Sequence, residues 1–438
     1  MESIVELAGA YRERARSLIT PISLSIAVYA IFLISGKREI PLPLFGRVEI
    51  AVVLAPVVFV AFVFFIYRSG LREEISRNKS GLLSLVLLYA TFLPAVFIGD
   101  PTGYTIAKVA KLFSITLLGM VAQFVLIRNE KELGAFETAL ALGALVIAAA
   151  GQGSVIAKAA EGALVGSTRP SAFGSTYLSV ARAALVFFLF AQTRVLLDRH
   201  LTKGMRIFYE LLSVLSLWTL VSAGSRAGIL SWMITFGILV FGLSKKTTAE
   251  KVKRYAIFVL LLIVLLKAPS LINNFMLVPE GSAARIEMTL AGEAGESGNA
   301  RLAAWKASLV GATRNPFGVG WGRFPSHFEI WAGNVRIIYP HNLILEVVVE
   351  AGIVATLALL MFAALAFFRS YRSFRLRDGW PRALLLVLLV GFALNSLFSF
   401  DINGNRMFMA LMALALNNID HADPSVKRAN AETDSAGS

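Results

Sequence analysis

Long unbroken runs of apolar residues dominate the hydrophobic pattern of this chain. A helix needs about 20 apolar residues to cross the hydrocarbon core of a bilayer. Stretches close to that length predict spanning helices at 18–36, 48–67, 81–99, 104–127, 133–150, 173–197, 205–223, 226–243, 254–268, 343–368, 383–400 and 405–418. Those at 133–150, 254–268 and 405–418 are Ala-rich or short, and any of them could be re-entrant. The pattern predicts an all-α, polytopic integral membrane protein with about 12 transmembrane helices.

The segments around these stretches predict how the chain is divided. One connection is far longer than is usual between packed helices, and within it Leu302, Trp305 and Leu309 recur at helical spacing. We therefore expect a helical cap in that loop. The predicted units are a cytoplasmic N-terminal segment 1–17, transmembrane helices one to nine at 18–268, a large periplasmic loop at 269–342, helices ten to twelve at 343–418, and a disordered cytoplasmic tail at 419–438.

Composition and charge support a membrane protein and predict its orientation. Apolar residues make up 57% of the 438 residues and charged residues 16%, where a soluble domain has about a quarter charged residues. A soluble enzyme is therefore excluded. The net charge of +14 is better explained by topology than by a nucleic-acid partner. Twenty-five Lys and Arg lie in the loops and termini on one side, against seven in the short loops opposite, which predicts that both termini are cytoplasmic.

The strongest local chemical signal is a histidine at the start of an apolar run. Tyr339, Pro340, His341 and Asn342 open this run, and Asn342, Glu346 and Glu350 fall on one stripe of a helix. Carboxylates in a spanning segment should face protein or water rather than lipid. His341 is then either a functional group above an acidic stripe or an interfacial histidine. The two glutamates either serve the same site or bond to neighbouring helices.

Arginines on the predicted outer side form the second signal. Arg226 lies in a short turn of small residues, Ser222–Gly228, where its guanidinium could bind phosphate oxygens or lipid headgroups. Arg301 begins the predicted cap helix. There is no Asp-x-Asp pair, His-x-x-x-His spacing, cysteine or P-loop. The residues therefore predict no metal site and no cofactor, and arginine would have to neutralise any anionic leaving group.

Three segments resemble the bacterial O-antigen ligase family, within the superfamily shared with O-antigen polymerases. They are the Ser225–Gly228 turn, the segment Arg301–Phe324 and the segment Pro340–Gly352. The resemblance implies a glycosyltransferase of the bacterial inner membrane whose site faces the periplasm. It implies transfer of O-antigen polysaccharide from undecaprenyl diphosphate to the lipid A–core oligosaccharide in lipopolysaccharide biosynthesis. Membrane lipids are the other expected partners, and the resemblance implies no cofactor.

The resemblance, read with the residue chemistry, assigns roles. His341 is expected to be the general base or to position the acceptor hydroxyl. Positive charge for the diphosphate would come from Arg226 and Arg301, assisted by Arg285 or Arg169. Substrate contacts are further expected from Tyr339, Asn342 and Glu346. Direct displacement would invert the anomeric centre.

Three other functions remain open at the level of sequence. An O-antigen polymerase shares the quoted motifs and differs in its acceptor. A lipid-glycan transporter or flippase is a different class, but many such proteins have two similar halves, which this chain does not show. A structural membrane scaffold would not need Arg226, His341 and the glutamate stripe.

Overall fold

The helices form a bundle with two short hairpins. A computed structural model describes residues 21–42, 46–160, 170–173, 176–271, 295–332, 334–376 and 379–419. The predicted N-terminal segment 1–17, and all of the predicted tail 419–438 except Ile419, lie outside these residues. In chain order the helices are α1 Pro21–Ile34, α2 Ile50–Ser69, α3 Leu71–Arg77, α4 Lys79–Phe92, α5 Gly103–Leu126, α6 Glu130–Ala160, α7 Tyr177–Leu197, α8 Lys203–Ser222, α9 Arg226–Leu243, α10 Thr248–Leu271, α11 Gly295–Arg314, α12 Phe324–His327, α13 Leu343–Glu350, α14 Gly352–Leu376, α15 Trp380–Ser396 and α16 Arg406–Leu416.

The two antiparallel hairpins are short. Strand β1, Glu39–Leu42, pairs with β2, Gly46–Glu49, directly after α1. Strand β3, Trp331–Ala332, pairs with β4, Val335–Arg336, before the histidine segment. The described fold is otherwise helical.

An all-α polytopic membrane protein is confirmed. Each predicted apolar stretch lies on a helix or a helix pair of the structure. Eight of the described helices are long and apolar enough to cross a membrane. Three more, Ile22–Ile34, Trp380–Ser396 and Arg406–Leu416, are apolar but shorter. The count of twelve spans stays a prediction.

The predicted span 343–368 is two helices rather than one. Helix α13 ends at Glu350, and α14 begins at Gly352 and is itself 25 residues long. Because α14 is long enough to cross a bilayer alone, Glu346 and Glu350 precede that span instead of lying within it. Hydropathy could not reveal this break, since both helices are apolar.

Two glycines make the break possible. Gly352 has φ +88° and Gly318, in the loop packed against it, has φ +86°. A Cβ on Gly318 would lie 2.4 Å from the carbonyl oxygen of Glu350, and one on Gly352 would lie 2.5 Å from the carbonyl carbon of Phe317. No side chain fits between these backbones. The loop is further fixed by hydrogen bonds from Val319 N to Val349 O and from Gly320 N to Glu350 O, both 2.9 Å.

The centre of the bundle is helix α7. Its apolar segment is 83% buried, more than any other candidate span. It packs between α6 and α8 and against α15. A helix apolar on every side is typical of a position surrounded by other helices. One charged side chain, Arg182, is buried on it.

Helices α9 and α15 are antiparallel. Asn395 Nδ2 donates to Ser231 Oγ at 2.8 Å, and one turn further along Gly391 lies against Thr235. The start of α9 is therefore level with the residues that follow α15. We call this end of the bundle the histidine end, since the segment 397–405 meets the histidine segment there.

Helix α11 packs through its small residues. Ala304 and Ser308 are fully buried, whereas Leu302 and Leu309 are about half exposed. Gly311 lies so close to α13 that a Cβ would be 2.9 Å from Val349 Cγ2. Small side chains allow helices this close approach. The Leu302 and Leu309 side of the predicted cap helix therefore points away from the protein core.

Candidate functional site

The backbone of His341 is in an unusual conformation that its neighbours fix. Its φ is +58°, in the left-handed region, which a residue other than glycine adopts at a cost of about 1–3 kcal/mol. On one side, Trp305 Nε1 donates to Pro340 O at 2.9 Å. On the other, Asn342 Oδ1 accepts from Leu345 N at 3.1 Å and caps α13. Strain of this kind is concentrated at functional sites.

Two predicted substrate-binding residues, Tyr339 and Asn342, flank His341 and have structural roles there. Asn342 is the N-cap of α13. Tyr339 lies with its ring centroid 4.3 Å from that of His341. Burial raises the pKa of Tyr339, so its phenol keeps its proton. Their roles toward a substrate stay predictions.

An ion pair between a partly exposed lysine and a buried aspartate lies close to Tyr339. Lys37 Nζ is 2.8 Å from Asp401 Oδ1 and 5.5 Å from the centre of the Tyr339 ring. Asp401 also accepts a hydrogen bond from Gly404 N at 2.8 Å. Burial alone would raise the pKa of Asp401, but the charges of Lys37 and Lys108 keep it below its usual value. A carboxylate is therefore fixed in its charged form near His341.

His341 is a neutral imidazole beside a positive charge. Burial, followed by the charge of Arg301, lowers its pKa from 6.5 to about 4. Lys37 lowers the pKa further and Asp401 raises it. The Nδ1 atom is buried and has no hydrogen-bond partner among the described residues. The half-buried ring is therefore uncharged at neutral pH, with one ring nitrogen protonated and the other able to accept a proton.

Arg301 contacts the segment 397–405, which follows α15. Its Nη1 donates to Phe398 O at 3.1 Å, and Trp305, one turn further along α11, has its ring 6.0 Å from that of Phe398. The structure therefore brings two of the predicted catalytic residues, Arg301 and His341, together at the histidine end.

Arg226 lies at the same end of the molecule. It is the first residue of α9, after the N-cap Ser225, whose Oγ accepts from Gly228 N at 3.1 Å. By the α9–α15 register, Arg226 is level with residues close to Asp401. Its convergence with Arg301 and His341 stays a prediction. Arg169 and Arg285 lie outside the described residues.

The glutamate stripe forms a buried ionic cluster. Lys108 Nζ on α5 is 2.6 Å from Glu346 Oε1 and 2.6 Å from Glu350 Oε2. Gly322 N donates to the same Glu350 oxygen at 2.9 Å. All three charged side chains are almost completely buried. This arrangement favours the second reading of the stripe, in which the carboxylates bond to a neighbouring helix, and a substrate contact by Glu346 stays a prediction.

Three further arginines, which the sequence analysis did not single out, are buried at this end, namely Arg38, Arg182 and Arg406. Arg182 stacks 4.1 Å from the centre of the Phe400 ring and donates to Asn405 Oδ1 at 2.7 Å. Arg38 donates from Nη2 to Ser179 O at 3.0 Å. A cavity of about 30 Å³ lies between Arg38 and Arg182, with room for roughly one water molecule. An ionisable residue inside an apolar stretch is costly, and this signal could have identified Arg182 and Lys108 from the sequence.

The carboxylates and histidines of this end do not form an obvious metal site. Among the residues that the structure describes, no group of three or more His, Asp or Glu side chains is arranged to hold a metal ion. The absence of a metal requirement stays a prediction.

Comparison with known proteins identifies the region that contains these residues. Residues 211–360 match the model of a protein family described as O-antigen ligase. The matched region includes Arg226, Arg301, His341 and Glu346, and encloses the segments on which the resemblance was based. No curated protein matches the chain.

Proposed function

We propose that this chain is an O-antigen ligase of the bacterial inner membrane, because its residues 211–360 match the model of that family. It transfers O-antigen polysaccharide from undecaprenyl diphosphate to the lipid A–core oligosaccharide, without a metal and with inversion at the anomeric carbon. Both termini are cytoplasmic, and the reaction takes place at the periplasmic face.

The observation that carries this proposal is the pairing of His341 with Arg301. A neutral imidazole in a fixed, strained conformation lies within electrostatic range of a guanidinium. Transfer from a diphosphate needs both groups, since the attacking hydroxyl loses a proton while negative charge grows on the departing phosphate.

In the proposed reaction a hydroxyl of the core oligosaccharide attacks the anomeric carbon of the donor sugar. The new bond from carbon to the acceptor oxygen forms as the bond from carbon to the diphosphate oxygen breaks. The hydroxyl proton passes to His341. Because Nδ1 is enclosed, Nε2 is the nitrogen that accepts it.

Undecaprenyl diphosphate leaves with both electrons of the broken bond. Arg301 and Arg226 neutralise its charge, and a guanidinium can bind two phosphate oxygens at once. The apolar helices around this end would hold the polyprenyl chain.

Donor binding would also make His341 a stronger base. The charge of Arg301 is the second cause of the low pKa of His341. A diphosphate bound to Arg301 cancels part of that charge and so raises the pKa of the imidazole. Proton transfer is then favoured when the donor is in place.

The test is transfer by the purified full-length protein in liposomes. The substrates are lipid-linked O-antigen and lipid A–core, and the product is measured by gel mobility and mass spectrometry. We expect transfer in the presence of a chelator, and a loss of about 10²-fold or more in His341→Ala, the contribution typical of a general base. His327→Ala is the matched control, because His327 is an exposed histidine of the same loop.

Three results would reject the proposal. If His341→Ala and His327→Ala were equally active, His341 would have no role in proton transfer. If the protein extended a glycan on a lipid diphosphate acceptor and gave no lipid A product, it would be the polymerase of the same superfamily. Glycan movement across vesicles without transfer would identify a flippase.

A further inference from the structure

A large cavity lies at the end of the bundle opposite His341. Its volume is about 790 Å³. It is formed where α14 and α16 end and α4 begins, at residues such as Leu376, Asn418 and Ser80. Helix α14 leads from the glycine break beside the histidine segment to this cavity and is 25 residues long. The cavity lining on α14 begins at Leu365, so at 1.5 Å per residue the cavity begins about 20 Å along the helix from Gly352. We call it the arginine cavity.

The charge of the arginine cavity is entirely positive. Four arginines line it, and no Asp or Glu is among its described lining residues. Arg77 and Arg382 are paired with carboxylates from outside the lining, Glu74 at 2.6 Å and Glu130 at 2.8 Å. The other two arginines are on α14, namely Arg369 and Arg372.

Neutral groups hold Arg369 in place. Its Nη1 donates to Leu416 O at 2.8 Å and its Nη2 to Asn418 Oδ1 at 3.3 Å. Neither acceptor is charged, so these bonds fix the guanidinium without neutralising it. Arg372, one turn away on the same helix, is exposed. The cavity therefore retains positive charge that an anion could neutralise.

Two buried polar atoms of the lining lack partners. Ser370 is 2% exposed and Asn417 7% exposed. The Ser370 hydroxyl and the Asn417 Oδ1 atom have no hydrogen-bond partner among the described residues. Buried polar atoms are nearly always satisfied, so each needs an explanation. A ligand with both acceptor and donor groups would satisfy them.

One side of the cavity is apolar and faces outward. Leu365, Phe368 and Leu376 line it and are 43%, 62% and 69% exposed. On a membrane-spanning helix, exposed apolar side chains of this kind contact lipid. The arginines therefore lie beside a surface that acyl chains would cover.

We propose that the arginine cavity binds the headgroup of an anionic glycerophospholipid. The lipid phosphate contacts Arg369 and Arg372 and accepts a hydrogen bond from Ser370. A hydroxyl of the headgroup donates to Asn417 Oδ1. The acyl chains lie along the Leu365 and Phe368 side of α14. The charge bias of the loops predicts that this end is cytoplasmic, so the lipid belongs to the inner leaflet.

The experiment measures binding of water-soluble lipids to the purified full-length protein in uncharged detergent. Dihexanoyl phosphatidylglycerol, dihexanoyl phosphatidylcholine and inorganic phosphate are titrated separately, and the rise in Tm gives the affinity of each. We expect phosphatidylglycerol to raise Tm and the other two to have little effect. Arg372→Gln should weaken phosphatidylglycerol binding by about tenfold, the effect of losing one charged hydrogen bond.

Arg375→Gln is the matched control, because Arg375 is exposed one turn beyond Arg372 on α14 but does not line the cavity. Ser370→Ala, which removes a single unpaired hydroxyl, provides a second test and should leave the fold intact. Equal affinities in Arg372→Gln and Arg375→Gln would overturn the proposal. Equal Tm shifts with phosphatidylcholine would show that charge is not recognised, and equal shifts with inorganic phosphate would show that the ligand is not a lipid.

The binding experiment is independent of the proposed transferase. His341→Ala should bind phosphatidylglycerol as the unchanged protein does, because His341 lies at the other end of the bundle. A failure of lipid binding therefore leaves the glycan-transfer proposal untouched, and the reverse also holds.

Discussion

The indole nitrogen of Trp305 donates a hydrogen bond to the carbonyl oxygen of Pro340, 2.9 Å away. This bond joins the cap helix α11 to the residue directly before His341. Because Arg301 lies one turn earlier on α11, the same helix sets the position of the guanidinium and the orientation of the imidazole.

Trp305→Phe tests this coupling. It keeps an aromatic ring but removes the donor, which costs about 1 kcal/mol as a hydrogen bond. We expect kcat for glycan transfer to fall by about tenfold, since a small displacement of a catalytic group is sufficient for such a loss, with little change in Tm. Trp331→Phe, at an exposed tryptophan of β3, should leave kcat unchanged. Equal kcat values for the two variants would show that the hydrogen bond from α11 to Pro340 has no effect on catalysis.

The low pKa of His341 predicts the pH dependence of transfer. In the free enzyme the imidazole gains a proton as the pH falls through about 4, rather than through 6.5. The value of kcat/KM, which reports the free enzyme, should therefore stay constant between about pH 8 and pH 5 and decline below that range. A decline centred near pH 6.5 would contradict the buried position of His341.

The same shift predicts a stability effect of defined sign. Between pH 6.5 and about 4 the unfolded chain binds a proton at His341 that the folded chain does not. The free energy of unfolding should thus fall as the pH is lowered through this window. His341→Gln removes this contribution, so its Tm should depend less on pH than that of the unchanged protein.

Removing Lys108 should destabilise the fold strongly. Lys108→Met leaves Glu346 and Glu350 as two buried carboxylates without a counter-charge, and breaking such a buried pair costs about 3–5 kcal/mol. The triple variant with Glu346→Gln and Glu350→Gln should recover much of the lost Tm. Lys111→Met is the control on the same helix, because the Lys111 side chain is 37% exposed in its pair with Glu49 and such pairs contribute about 1 kcal/mol or less.

Gly352→Ala should damage the break between α13 and α14. Its φ of +88° disfavours any side chain, and the new Cβ would lie 2.5 Å from the backbone of Phe317. We expect a loss of about 2 kcal/mol or more in the free energy of unfolding, together with reduced transfer. Gly153→Ala, in open space on α6, should be neutral or slightly stabilising. Equal Tm values in the two variants would contradict the close packing described.

The apolar pattern predicted the helices well because hydropathy is local. Helix α2, for example, coincides with the predicted 48–67 stretch within a few residues. The break at Ala351 was missed because it depends on a glycine in a loop more than thirty residues earlier, Gly318. A hydropathy profile reports only local composition and cannot predict a contact between distant residues.

The candidate site was predicted in part. His341 was singled out because it precedes an apolar run, and Arg301 because it begins the predicted cap helix; the structure brings them together. The stripe of Glu346 and Glu350 was found by helical periodicity. Their partner Lys108 was not, since the pairing joins residues 242 positions apart.

The interlocked glycines limit how this protein can be recombined. A Cβ on Gly318 would meet the backbone of Glu350, and a Cβ on Gly352 would meet the backbone of Phe317. The loop before α12 is also hydrogen-bonded to the end of α13 and the start of α14. A chimera with a junction between residues 323 and 343 would take the two halves of this contact from different parents. Exchange of acceptor preference between homologues should therefore succeed when residues 295–376 are moved as a single block, and fail when the block is divided.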